Sequence, residues 1–140
     1  MVARGGSVGI ILLMIAILWR DHRHANAASI GIVFLATVCC HIIATIRITG
    51  ADGLPSFTDW LFEFGSNAAP GMFWLLTRAW FNDERPGWRS WAIVGLSVAF
   101  MHIHAWILWL DMDAWILPTG ALGRASAIGL VALGLYTAWK

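Results

Sequence analysis

Residues 70–88 read PGMFWLLTRAWFNDERPGW. An apolar, aromatic run, Pro70–Phe81, ends in a dense charged turn that holds Asp83, Glu84 and Arg85, and Arg78 stands before that turn, not in it. Such a run is either a soluble helix with a solvated end or a membrane helix meeting water. The rest of the chain decides between them.

The chain has 140 residues, a length that suits one domain. Its hydrophobic fraction is 59%, only 12% of it is charged, and its mean hydropathy is +0.72. An ordinary soluble domain carries roughly 25% charged and about 45–50% apolar residues. A chain this small has too much surface to hide the excess from water, so lipid is the expected solvent. The formal net charge of +1 offers no basic face for a nucleic acid. The two cysteines are the neighbours Cys39 and Cys40 in an apolar run. Adjacent cysteines rarely meet disulfide geometry, and no second pair exists to build a metal site, so both read as small apolar residues of a helix.

Working outward from Pro70–Trp88, five apolar segments emerge between charged or Pro/Gly-marked breaks, at about 5–20, 27–46, 56–81, 90–110 and 118–139. They predict an all-α, polytopic membrane bundle of about five transmembrane helices, a single integral domain over 1–140. The first segment is short for a span, which usually needs about 17–25 residues, but Arg4 and Arg20 can snorkel. A secretory signal peptide is the competing reading there, with ANA at Ala25–Ala27 as its cleavage site. The intervening RDHRH, Arg20–His24, lies where a signal peptide is normally uncharged, so the segment reads as a retained helix.

Tryptophan supports the spans. Trp19, Trp60, Trp80, Trp88, Trp91, Trp106, Trp109, Trp115 and Trp139 fall near segment ends, and Trp74 alone is deep. Indole rings prefer the headgroup layer. Arg20, Arg23, Arg78, Arg85, Arg89 and Lys140 fall on one side of the predicted bundle, against Arg4, Arg47 and Arg124 on the other. The positive-inside bias then puts the N-terminus outside and the C-terminus in the cytoplasm of a bacterial inner membrane.

Three features bear on chemistry. Asp59, Glu63 and Asn67 are spaced four apart, which keeps them on one drifting helix face. Glu63 and Asn67 lie deep, where an ionisable group usually faces a bundle interior or a water-filled cavity, and Pro70 frees a backbone carbonyl nearby. The functional reading is a polar pocket; the structural one is a Glu63 that pairs with an arginine or snorkels. In HIHAW, His102 and His104 are two apart and point to different sides of their helix, so they cannot share a metal from one face. His41 and His102 are candidate axial ligands for a haem, or either for a pigment, although His41 sits nearer its helix end. The structural alternative is histidines hydrogen-bonded to neighbouring helices. Small-residue pairs, Gly5–Gly9, Ala27–Gly31 and Ala125–Gly129, suit close helix approach. No phosphate-binding glycine loop, HExxH or GxSxG is present, and no catalytic set emerges, so an enzyme is not expected.

The stretch SNAAPGMFWLLTRAWFNDERPGWRSW resembles the N-terminal membrane region of certain AraC-type transcriptional regulators, where an apolar aromatic helix ends in an acidic turn followed by Arg and Trp. The residues that carry the likeness are Asn67, Phe73, Trp74, Leu75, Arg78, Ala79, Phe81, Asp83, Arg85 and Trp88. LWRDHRHANAASIGIVFLATVC, Leu18–Cys39, is similar to that region's first loop and second helix, and the likeness covers about the first 110 residues. It implies a sensory membrane bundle with its N-terminus outside. Those regulators continue into a cytoplasmic helix-turn-helix domain; these residues include no basic recognition helix, and no direct nucleic-acid contact is expected. In helix number and tryptophan content the chain is also similar to five-helix tryptophan-rich sensory proteins that bind porphyrins, but it lacks their proline-rich first-loop motif. The expected function is therefore an accessory subunit or sensor-type bundle acting through helix contacts with other membrane subunits. The alternative is a protein that binds a haem, a pigment or a small hydrophobic ligand through His41, His102, His104, Glu63 and Asn67.

Overall fold

A computed structural model describes residues 2–22, 24–47, 57–109 and 113–140. They form five α-helices: α1 (Val2–His22), α2 (Asn26–Arg47), α3 (Phe57–Phe81), α4 (Trp88–Trp109) and α5 (Asp113–Trp139). Among the described residues there is no strand. Three of the helices contain stretches long and apolar enough to cross a membrane, Gly5–His22, Asn26–Thr45 and Pro118–Trp139.

Side-chain register shows an up-and-down bundle. Gly31 faces Leu76, Phe34 packs tilted against Phe73 with ring centroids 5.9 Å apart, and His41 meets Ser66, so α2 and α3 run antiparallel. Asn67 meets His102 while Arg78 meets Ser90, which sets α4 against α3 in the same sense. Ser97 with Ser126 and His104 with Thr119 do so for α4 and α5. Short connections make such antiparallel neighbours the natural arrangement. α3 is the central helix and touches α2, α4 and α5; among the described residues α1 makes its close backbone contacts with α2 alone.

The core gathers around the second half of α3. Leu75 is fully buried, and Met72, Trp74 and Ala79 join it with Ile30 of α2, Val94 and Val98 of α4 and Leu130 of α5. Close approach there depends on glycine. A Cβ on Gly71 would stand 2.7 Å from Val94 Cγ1, and one on Gly134 2.8 Å from Phe73. The small residues that let helices meet most closely are thus Gly65, Gly71, Gly123 and Gly134, outside the small-residue pairs the sequence offered. Gly5, Gly9 and Gly129 face open space, and Gly31 is in ordinary contact with Leu18 and Leu76. Buried Thr37 and Thr77 return their hydroxyls to carbonyls of their own helices, Phe34 at 2.6 Å and Trp74 at 2.8 Å, so neither needs a polar neighbour.

Helix ends differ from expectation chiefly at α5, which begins at Asp113, ahead of Pro118. Proline lacks one N–H, and the helix gives up one backbone bond there without ending. α4 starts at Trp88, where the Gly87 carbonyl accepts the Ser90 and Trp91 N–H groups. Predicted ends at Ser56 and Leu110 lie outside the described residues. Trp74 is buried, as its depth in the sequence implied, whereas Trp19, Trp80, Trp88, Trp91 and Trp139 are exposed and share one end of the bundle. The side chains of Trp106, Trp109 and Trp115 lie outside the described residues.

Candidate ligand-binding site

The polar residues the sequence singled out divide among three places. His102 turns from α4 to α3: its Nδ1 is 3.4 Å from Asn67 Nδ2, its ring stands edge-on to Phe64 at 5.2 Å, and Trp60 lies 6.2 Å away. His104 turns to α5 instead, where its Nδ1 is 2.8 Å from the Thr119 hydroxyl. The two-residue spacing of HIHAW therefore serves two different neighbours, as helical geometry requires.

His41 is on α2, and its Nδ1 lies 2.7 Å from Ser66 Oγ on α3. α2 and α4 are not in contact among the described residues, and α3 stands between them. His41 and His102 consequently approach α3 from different sides, and the structure does not bring them together as a pair of axial ligands. Each ring is held across a helix pair by a hydroxyl or amide. Among the described residues no cluster of three or more His, Cys, Asp or Glu could hold a metal ion.

Glu63 is half-buried and, among the described residues, makes no ion pair with an arginine. The cavity lies one position around α3 from Asn67. It is an open cleft of about 380 Å³ lined by Phe34, His41, Ser66, Ala69, Pro70, Phe73 and Val131, with α2, α3 and α5 as its walls. Ser66 was the residue missed; its signal was the spacing to Pro70, because proline has no N–H to give the carbonyl four residues back. A second cleft of about 510 Å³ lies between α1, α2 and α3, from Met14 and Leu18 to Leu76 and Trp80, and is apolar throughout.

The charged turn forms a separate unit. Arg78 Nε donates to Glu84 Oε2 at 3.0 Å, Nη2 bonds the same oxygen, and Nη1 donates to buried Ser90 at 2.7 Å. The guanidinium also lies 5.4 Å from the Trp74 ring. The Arg78 carbonyl takes the Asn82 and Glu84 N–H groups, and Asp83 adopts a left-handed backbone with φ 52°, a conformation in which Asp is enriched. Arg78 thus fastens α3, the turn and α4, with Glu84 and Ser90 as partners the sequence reading did not name. Asp83 and Arg85 are exposed on the turn, and Trp88 carries the Arg89 guanidinium at 5.8 Å.

Comparison of the chain with protein-family models, curated proteins and solved structures found no match.

Proposed function

We propose that the chain is a five-span bundle of the bacterial inner membrane that works without catalysis, as an accessory subunit or sensor-derived module, through helix contacts with another membrane protein. The observation that carries this is the state of α1. Among the described residues that helix makes its close backbone contacts with α2 alone, none of its candidate span is fully buried, and Ile10, Leu12, Leu13, Met14, Ile17 and Trp19 are all exposed. α1 half-buries Val8, Ile11, Ile15 and Leu18 along one face, and the apolar side it leaves outward suits a neighbour in the bilayer.

Neighbouring helices support five crossings. α3 runs along α2 and α5, both apolar enough to span, and shares their depth. α4 holds no Asp, Glu, Lys or Arg from Ser90 to Trp109. Arg78, Arg85, Arg89, Arg20 and Lys140 belong to the same end, which the positive-inside bias assigns to the cytoplasm, with the N-terminus outside. The resemblance to the membrane region of AraC-type regulators supports a sensory origin.

The test is Gly9→Leu in the tagged full chain, extracted from native membranes in mild detergent. A Cβ at Gly9 has nothing within 4 Å, so the thermal stability of the purified variant should match wild type. A companion protein that runs with wild type on a native gel should be lost from the variant. Wild type that runs alone, or a companion retained in Gly9→Leu and equally in Leu13→Ala, contradicts the reading.

A further inference from the structure

The cleft between α2, α3 and α5 has a built polar corner in an apolar wall. Phe34, Phe73 and Val131 supply the apolar surface, and His41 and Ser66 the polar groups. His41 uses Nδ1 for Ser66, which leaves its Nε2 without a protein partner among the described residues. Pro70, in the same wall, has no N–H for the Ser66 carbonyl. His41 is exposed at the mouth of the cleft, six residues from the end of α2, about 9 Å along the axis at 1.5 Å per residue; with lipid and not water against it, an unmade hydrogen bond there is costly.

These groups restrict what can complete the corner. A carbonyl only accepts, so an occupant that satisfies Ser66 must bring a donor. An acyl chain offers nothing, and an ester or ether oxygen offers only acceptors. A hydroxyl donates to the Ser66 carbonyl and still has lone pairs for an Nε2–H; in the other tautomer it donates to Nε2. The volume, about 380 Å³, falls within the range of small-molecule sites, roughly 300–1,000 Å³.

We infer that this cleft binds a lipid-soluble alcohol or phenol, with its apolar body against Phe34, Phe73 and Val131 and its hydroxyl at the His41–Ser66 corner. This site is independent of the α1 surface and of any partner there. Ligand enters sideways from the bilayer, since the cleft is open on its outer face. His41 and Ser66 fix the head group, while the aromatic walls accept bodies of different shape.

The test uses the purified full chain in lipid nanodiscs with two photoreactive probes, an alkylphenol carrying a diazirine on its chain and the methyl ether of the same molecule. After irradiation, the phenol should label peptides around Phe73 and Val131 about tenfold more than the ether, the factor expected for one hydrogen bond. Pro70→Ala restores an N–H to the Ser66 carbonyl and keeps the helix, and it should reduce phenol labelling towards that of the ether. His41→Phe should do the same by removing Nε2. If His41→Phe does not fold, the probe pair on wild type and Pro70→Ala still decide. Equal labelling by phenol and ether, or phenol labelling unchanged in Pro70→Ala, would mean that the cleft holds only lipid chains and overturns the inference.

Discussion

Arg78 explains why a charge stands ahead of a charged turn. In sequence it reads as a snorkelling residue at the end of an apolar helix; in the fold it is half-buried, paired with Glu84, bonded to buried Ser90 and set over Trp74. Replacing it by alanine leaves the Ser90 hydroxyl without that partner and should cost about 1–2 kcal/mol, measured by unfolding in mixed micelles. Glu84→Gln removes only a partly exposed charge and should cost under about 1 kcal/mol. Equal losses in the two variants would show that the ion pair outweighs the Ser90 bond. Leu75, with 0% exposure, is the residue at which truncation should cost most, about 2–5 kcal/mol for Leu75→Ala by the same assay. The Arg78 partners were hard to read in advance because Glu84 and Ser90 come into range only through the left-handed residue at Asp83, a local choice that apolar patterning does not encode. His102 and His104 were easier, since two residues of one helix must diverge whatever surrounds them.

Among the elements, α3 carries the bundle, and its contact with α4 is set by the absence of a side chain at Gly71. Gly71→Ala puts a Cβ 2.7 Å from Val94 Cγ1, too close unless a helix shifts, and should destabilise by about 1–3 kcal/mol. Val94→Ala in the same chain should recover part of that loss, because the clash is with the Val94 branch. A double variant less stable than the sum of the two singles would rule out this contact as the cause. The apolar lengths and charged breaks made the five helices legible, since lipid and a short chain leave few alternatives. Which glycines bring helices together was not legible: small residues are frequent in every apolar helix, and only the rotation of each helix selects Gly65, Gly71 and Gly134 over Gly5 and Gly9. Helix rotation also separates the cleft from the polar stripe. Glu63 and Asn67 marked α3 as the helix with polar content, but Ser66, one position around, faces His41. At the start of α5, Pro118 suits the first turn of a helix, yet the helix begins at Asp113 and continues through the lost bond.

For the whole molecule, an alternating bundle with exposed tryptophans at one end and an apolar exterior is what a bilayer selects, and the proposed partner would sit on the outward face of α1. Composition alone marks α1, α2 and α5 as candidate spans; the proposed topology adds α3 and α4. The two arrangements differ in where the α3–α4 turn lies. Five crossings with the N-terminus outside put Asp83 in the cytoplasm, whereas three crossings leave the α3–α4 hairpin outside. The deciding measurement is labelling of Asp83→Cys by a membrane-impermeant maleimide, in a chain with Cys39 and Cys40 replaced by alanine. His24→Cys serves as the cytoplasmic reference and Asp113→Cys as the external one. Five crossings predict that Asp83→Cys and His24→Cys react only in inverted vesicles and Asp113→Cys only in intact spheroplasts. Labelling of Asp83→Cys in intact spheroplasts would contradict the account.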